Sequence, residues 1–383
     1  MEKTICILAG EVSGDMYGAA LVKAIKKRDK ACVFFGMGSQ KMKEEGVDII
    51  YDMSSYSTIG FIEPLKNISK SVTSFTRLKS AIKQRKPDLV IAIDSQGINV
   101  PLLKIAKKEG LKTAYFISPQ EWHWGTEKGG QSVINVTDHI IAIFEKEKKF
   151  YERCGGDVTF VGHPLFDLAI PKLDQDDFYH KIGYEKGDKI LAIFPGSRKQ
   201  EVLTVFPQLL KAAHMLLNRY PNIKIVVSVV AKTYELDITN IIKSEGVNVR
   251  VWKGRSVDLI AHSYLSFTSS GTITLEHAIL KTPCIVGYHL HPITFWAAKK
   301  MLLKRKGRIP FMSILNEFYR EKMCQTEFLQ ENLTPENVCK EACRILYSAE
   351  SYSQYKEQTS LSPSEMDGKG AIDRAAEALL SRV

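Results

Sequence analysis

Ile190-Leu191-Ala192-Ile193-Phe194-Pro195-Gly196-Ser197-Arg198-Lys199-Gln200-Glu201-Val202 decides how this chain folds. Five apolar residues in a row read as a strand covered on both faces. Pro195 and Gly196 break it, and the charged residues that follow read as the first turn of a helix with Ser197 near its N-cap. A strand, a glycine turn and a helix N-terminus suit an anion. Orphan N–H groups are expected to point outward, the helix dipole adds positive potential, and Arg198 can fork onto phosphate. An ordinary strand-to-helix turn has the same pattern, so this stretch alone leaves both readings open.

On either side of it, short apolar runs alternate with helical patterns. Thr4 to Leu8, Cys32 to Phe35, Asp88 to Asp94, Lys112 to Ile117, His139 to Phe144 and Thr159 to Val161 are the strands of the first half. Lys189 to Phe194, Ile223 to Val230, Val247 to Trp252, Tyr264 to Thr268 and Pro283 to Tyr288 are those of the second. Such alternation implies βαβ units and parallel sheets. The expected fold is α/β: two tandem Rossmann-like, doubly wound domains, with ligand in the cleft between them at the C-terminal ends of the strands. The boundaries read as 1–165 and 166–350, with a helical tail at 351–383. The acidic segment Asp174 to Asp188 reads as the crossing, and the final helix, Ala371 to Leu380, can pack on either domain.

Composition narrows the class. At 383 residues, 44% hydrophobic and 25% charged, the chain is long enough for two cores. Lys+Arg 53 against Asp+Glu 43 leaves +10, which favours anionic partners without choosing among phosphates, nucleic acid and acidic lipid. The seven cysteines are odd in number and contain no Cys-x-x-Cys, so neither a disulfide framework nor a zinc ribbon is expected. Cys339 and Cys343 share a helix face and read as core. No run approaches the roughly 18 apolar residues of a spanning helix, and no leader pattern opens the sequence. The expected location is cytoplasmic, or attached to a surface from that side.

Several strand-end motifs carry chemistry. Ala9-Gly10-Glu11-Val12-Ser13-Gly14-Asp15 follows the first strand; its glycines allow close backbone approach, and Ser13 or Asp15 can cap the next helix. Asp94 ends a buried strand, where a partly desolvated carboxylate suits a general base or merely caps the loop toward Asn99. In Ser118-Pro119-Gln120-Glu121-Trp122-His123-Trp124-Gly125 the two tryptophans form either a binding lip or a cap on the core. Lys253-Gly254-Arg255-Ser256 and Thr268-Ser269-Ser270-Gly271-Thr272-Ile273-Thr274-Leu275-Glu276 end two strands of the second half. Small residues there open a helix N-terminus to phosphate, and Glu276 can accept from both ribose hydroxyls of a nucleotide. Together with Gly196-Ser197-Arg198, three nucleotide contacts converge on one domain. Pro292 to Arg308 mixes apolar bulk with cations, as an interfacial segment or a core helix with a basic end would.

Taken together these motifs resemble the lipid-A-disaccharide synthases, inverting glycosyltransferases of the GT-B type. The likeness rests on Ala9-Gly10-Glu11-x-Ser13-Gly14-Asp15, Gly60-Phe61-x-Glu63, Ile93-Asp94 with Asn99, Ser118-Pro119-Gln120-x-Trp122-x-Trp124, Phe160-x-Gly162-His163-Pro164, Pro195-Gly196-Ser197-Arg198, Ser270-Gly271-Thr272-x-Thr274-Leu275-Glu276 and Ser313-x-x-Asn316. The resemblance implies transfer of 2,3-diacylglucosamine from its UDP donor to the 6-hydroxyl of 2,3-diacylglucosamine 1-phosphate. The products are a β-1,6 disaccharide and UDP. It implies Asp94 as base and Arg198 on the leaving diphosphate, with Gly196, Ser197, Gly254, Arg255, Ser270, Gly271, Thr272, Glu276 and Asn316 around the donor. Glu11, Ser13, Asp15, Asn99, Gln120 and Trp122 fall on the acceptor side. It calls for no cofactor and no metal, because an arginine and amides neutralise the diphosphate. Gly60 to Ser74 and Pro292 to Arg308 become acyl-chain and membrane contacts on the cytoplasmic face of the inner membrane. The helical tail permits a homodimer with exchanged C-terminal segments.

Gly125 stands where the family usually has a basic residue and His289 where it has Arg or Lys, departures that bear on the acceptor rather than on the reaction. A UDP-N-acetylglucosamine 2-epimerase on the same fold would keep Gly196, Arg198 and Glu276 but has no use for the Trp122 loop. A basic, non-catalytic binder of nucleic acid or lipid would have no need of Asp94, and nucleic acid is not an expected partner.

Overall fold

The computed structural model describes residues 2–52, 68–123, 125–229, 232–290, 295, 311–362 and 368–383. The chain divides into two compact units, Met1–Leu168 together with Pro363–Val383, and Ala169–Ser362.

In the first unit the strands are β1 (Lys3–Ala9), β2 (Cys32–Gly38), β3 (Asp48–Asp52), β4 (Leu89–Ile93), β5 (Lys112–Phe116), β6 (His139–Ala142) and β7 (Val158–Phe160). They form one parallel sheet in the order β3-β2-β1-β4-β5-β6-β7. In the second unit β8 (Lys189–Phe194), β9 (Ile223–Ser228), β10 (Arg250–Trp252), β11 (Leu265–Ser269), β12 (Cys284–Tyr288) and β13 (Thr326–Leu329) form another, in the order β10-β9-β8-β11-β12-β13. The strand order reverses between β1 and β4 in one unit and between β8 and β11 in the other. Helices leaving opposite faces at such a switch point open a crevice outside the carboxyl ends of the strands. The two-domain Rossmann-like expectation holds.

The apolar run 190–194 is covered on both faces. Leu191 and Ile193 of β8 pack with the helices Phe206–Leu217 and Pro335–Ile345. Ile190, Ala192 and Phe194 pack with Phe178, Tyr179 and Ile182 on one helix and Leu259 and Ile260 on another. Each such side chain contributes about 1.5–3 kcal/mol when fully buried, which fixes the strand ends in place. Two of the four outermost strands, β3 and β13, do not stand out in the sequence. Asp48 and Asp52 cut the apolar run of β3 to three residues and Thr326 and Glu327 that of β13 to two, as suits strands with one open edge.

Two boundary expectations change. The acidic segment from Asp174 is a helix, Gln175–Ile182, N-capped by Asp174 through Asp177 N–H at 2.8 Å, and the chain passes between units at Leu168 and Ala169. In the first turn of that helix Asp176 pairs with Lys186 at 2.7 Å. The tail also divides: Ala349–Gln358 belongs to the second unit, whereas Ala371–Leu380 returns to the first. There Asp167 accepts from Gly370 N–H and Ile372 N–H at 2.6 and 2.9 Å, Arg374 donates to the Val161 carbonyl, and Arg28 pairs with Asp373 at 2.7 Å. All seven cysteines are free thiols. Among the described residues, no helix is long and apolar enough to cross a membrane, and no cluster of metal-binding side chains occurs.

Candidate functional site

At the first switch point Ala9 lies beside Ile93, and Ile93 beside Phe116. Here the backbone is strained. Asp94 and Ser95 follow β4 at φ +51° and +46°, and Ile117 follows β5 at φ +58°. Left-handed conformation costs an L-residue roughly 1–2 kcal/mol and is most unusual for a β-branched one. Such strain persists only where the surroundings over-determine it, and it collects at functional sites. Here the surroundings are visible. Asp94 N–H donates to the Ile117 carbonyl at 3.1 Å, and the Asp94 carbonyl accepts from Tyr115 Oη at 2.7 Å and Asn99 Nδ2 at 2.8 Å. Gly10 is required: a Cβ there would collide with Ser95.

The expected acceptor residues separate into two kinds. Glu11, Ser13, Gln120 and Trp122 keep exposed or half-exposed side chains at the strand ends. Asp15 and Asn99 do not. The helix Val12–Arg28 has no side-chain cap, so neither Ser13 nor Asp15 caps it. The Asp15 carboxylate instead turns away and accepts from the Ser39, Lys41 and Met42 amides at 2.6 to 3.2 Å, capping the helix Gln40–Glu44. Asn99 is fully buried and spans the carbonyls of Leu8, Ile93 and Asp94. It holds β1 and β4 together beneath Asp94. Trp122 is half-buried in an aromatic row, 5.3 Å from the Phe144 ring, which meets His163 edge-on at 5.5 Å. Burial pushes His163 down to about 3, so it is neutral. Glu121 folds back onto Gln96 and Thr126 N–H and fills the space a side chain at Gly125 would need. Trp124, Gly60, Phe61 and Glu63 lie outside the described residues, as does Pro292 to Arg308 apart from Phe295.

One residue beneath this site is absent from the sequence reading. Glu147 is buried and accepts from Ser118 Oγ and N–H at 2.5 and 3.2 Å, and from the Ile143 and Phe144 amides at 2.7 and 3.2 Å. It binds the loops after β5 and β6 to one another. Burial outweighs these donors and pushes its carboxyl up to about 7.

In the second unit Thr268 pairs with Phe194, so the loops after β8 and β11 are adjacent. The first of them departs from expectation. Arg198, not Ser197, is the N-cap of the helix Lys199–Thr204, and the amides of Ser197 and Arg198 turn inward onto the buried Glu201 carboxylate at 2.8 and 3.2 Å. They are therefore not the outward orphan donors that the turn suggests. The Arg198 side chain remains 48% exposed, 3.5 Å from Glu201. After β11 the expected opening is present: the helix Thr272–Ile279 starts at Gly271 with no side-chain cap. Ser270 Oγ donates to the Met312 carbonyl at 2.7 Å, which brings the segment after residue 310 against this turn. Glu276 is 7% exposed on that helix.

Asn316 is placed differently from a ligand contact. Fully buried, it donates to Gln325 O and Glu327 Oε1 and accepts from the Cys324 and Gln325 amides. Glu327 in turn accepts from Met312 and Ser313 N–H at 2.8 Å. Gln325 donates to the Thr274 carbonyl at 2.8 Å, so the network ends on the uncapped helix. Arg255 and Gly254 stand exposed after β10, with Arg255 Nη1 3.1 Å from the Ile170 carbonyl.

The family model of lipid-A-disaccharide synthetase matches residues 5–382, nearly the whole chain, and so spans both switch points. The chain belongs to that family. Among lipid-A-disaccharide synthases it is 34% identical to that of Trichlorobacter lovleyi over 381 residues, covering 100% of this chain and 98% of the relative. It is 31% identical to that of Gloeothece citriformis, covering 99% and 100%. The solved UDP-GlcNAc 2-epimerase of Neisseria meningitidis bound to UDP-GlcNAc has the same fold, with a TM-score of 0.67 at 13% identity, covering 99% of this chain and 100% of that one. At that identity the likeness is one of fold, and the synthetase relatives decide the family against the epimerase alternative. As a member of this family the chain is a UDP-sugar-dependent glycosyltransferase of lipid A biosynthesis.

Proposed function

We propose that the chain transfers 2,3-diacylglucosamine from its UDP donor to the 6-hydroxyl of 2,3-diacylglucosamine 1-phosphate, with inversion, releasing UDP and the β-1,6 disaccharide. The observation that carries the assignment of residues is the strained turn at Asp94, a residue at the carboxyl end of β4 whose backbone carbonyl is fixed by Tyr115 and Asn99. Inversion requires in-line attack, with a base on the acceptor side and charge stabilisation on the leaving side. Asp94 takes the proton of the acceptor hydroxyl. Arg198 and the amides of Ser270, Gly271 and Thr272 receive the diphosphate, Glu276 receives the ribose hydroxyls, and Gly196, Ser197, Gly254 and Arg255 complete the donor side. Glu11, Ser13, Gln120 and Trp122 meet the acceptor. Asp15, Asn99 and Asn316 act one step removed, by fixing the backbone that carries those groups.

The diacyl substrates and the +10 charge favour a peripheral protein on the cytoplasmic face of the inner membrane. A homodimer exchanging Ala371–Leu380 would re-form the Asp167, Arg374 and Arg28 contacts with a second copy; light scattering that reads one chain per particle rules it out.

The test is UDP release by purified protein given UDP-2,3-diacylglucosamine, with and without diacylglucosamine 1-phosphate. Release that needs both lipids and disappears in Asp94→Asn supports the reading. Release without acceptor overturns it in favour of hydrolysis or epimerisation.

A further inference from the structure

The amides that follow β8 already hold an anion, and it belongs to this chain. Ser197 and Arg198 N–H donate to Glu201 Oε2, and Arg198 Nη1 lies 3.5 Å from Glu201 Oε1. Glu201 is 4% exposed. It is packed so closely under the turn that a Cβ on Gly196 would meet it. Among the described residues, two ionisable groups face its carboxylate: the Arg198 guanidinium, from the same turn, and the Tyr288 hydroxyl at the end of β12, against which Arg198 also lies. Burial raises the carboxyl, and Arg198 is foremost among the groups that oppose the rise. Across the switch point, the helix that starts at Thr272 has no such internal carboxylate on its cap.

Resting on the nucleotide reading above, we propose that Glu201 is a displaceable, proton-linked counter-ion for Arg198. When the diphosphate binds, the guanidinium passes from the carboxylate to phosphate, and Glu201 takes one proton from solvent at Oε1. A buried carboxylate left without its cation and facing a dianion is strongly disfavoured, whereas the neutral acid is not. The exchange gives up only the Arg198 Nη1 contact to Oε1 and conserves both amide hydrogen bonds of the turn, because Oε2 still accepts from Ser197 and Arg198 N–H. Oε1–H becomes a donor in the direction Arg198 has vacated. The net event is one O–H bond formed per diphosphate bound, with Arg198 charged throughout. Nucleotide affinity therefore falls as pH rises, and Glu201→Gln mimics the protonated form permanently: its carbonyl keeps the amides and its NH2 replaces the acid proton.

The experiment is calorimetric titration of UDP into the full chain between pH 6 and 9, for wild type, Glu201→Gln and Arg198→Ala. The ionisation of UDP is common to all three and cancels in ratios. The ratio of the wild-type Kd to that of Glu201→Gln should climb up to about tenfold per pH unit above the Glu201 pKa. Above pH 7.5, where a terminal phosphate of pKa about 6 is already ionised, buffers of different ionisation enthalpy should report proton uptake by wild type and none by Glu201→Gln. A ratio flat in pH, or weaker binding by Glu201→Gln at every pH, makes Glu201 a structural cap and overturns the proposal. If Glu201→Gln does not fold, wild type alone decides, and absence of proton uptake overturns it. The nucleotide reading fails separately: it is sunk if Arg198→Ala binds UDP as tightly as wild type. Weaker binding by Arg198→Ala with a flat ratio sinks only the role of Glu201.

Discussion

At the end of β4 the chain turns through Asp94 and Ser95, two residues with side chains at φ +51° and +46°; at the end of β8 it turns through Gly196 at φ +111°. Both turns lie at a point where strand order reverses, and a nearby buried glutamate steadies each unit: Glu147 in one, Glu201 in the other. Each glutamate stands three residues after the N-cap of its helix, at Phe144 and Arg198. The difference lies in what each turn must present. Where the proposed contact is the Arg198 side chain two residues further on, glycine is the unstrained solution. Where the proposed base is the carboxylate of the turn residue itself, glycine is unavailable and the strain is accepted.

This contrast can be broken at four places. Asp94→Asn keeps the turn and removes the base, so turnover should fall by about 10²–10⁴ with UDP affinity unchanged; near wild-type turnover in the UDP-release assay would sink the role of Asp94. Next in size is the pH response of Glu147. Its carboxyl rises from an ordinary 4.5 to about 7 in the fold, so the fold favours the protonated form. That contribution is fully present below pH 4.5, fades as pH rises, and is gone above 7. It amounts to about 3 kcal/mol from the size of the rise. Thermal midpoints of wild type should therefore drop between pH 5 and pH 8 by more than those of Glu147→Gln, and parallel curves would contradict this. Arg198→Ala should weaken UDP binding about 10–100-fold, the scale of one charged hydrogen-bonding group. The smallest effect is Ser95→Gly. Its hydroxyl has no partner and its φ is left-handed, so glycine should raise denaturation stability by roughly 1 kcal/mol. A loss instead would mean that the turn is not strained.

Much of this was readable from the residues. β8 and β4 announce themselves as apolar runs because both faces of a parallel sheet are covered, and Pro195-Gly196 marks the turn after β8, whereas the turn Asp94-Ser95 after β4 holds no glycine. Two edge strands, Asp48–Asp52 and Thr326–Leu329, are harder, since one open side relaxes the demand for apolar residues and leaves them runs of only three and two. The two glutamates sit in charged stretches, Glu145 to Arg153 and Arg198 to Glu201, that look solvated. Their spacing from the N-cap is a recognisable signal for a side chain that folds back onto the cap amide. Nothing local could reveal that Asp15 caps a helix 25 residues away or that Asn316 clasps Gln325 and Glu327, because those partners meet only through the tertiary fold. Which candidate residues keep exposed side chains and which hold others in place is therefore read from burial and not from motif.

The helix Ala371–Leu380 buries Ala371, Ile372, Ala375, Ala376 and Leu379 within the unit that begins at the first strand. On a ribosome that unit is not complete when its first 168 residues emerge. At roughly 5–20 residues per second, it waits on the order of tens of seconds for its last helix while the second unit is synthesised. During that interval the apolar face awaiting this helix is open to chaperones and to other nascent copies of the chain. Loss of the final few residues would be felt at the opposite end of the sequence, in the packing of the first helix rather than in the unit made just before them.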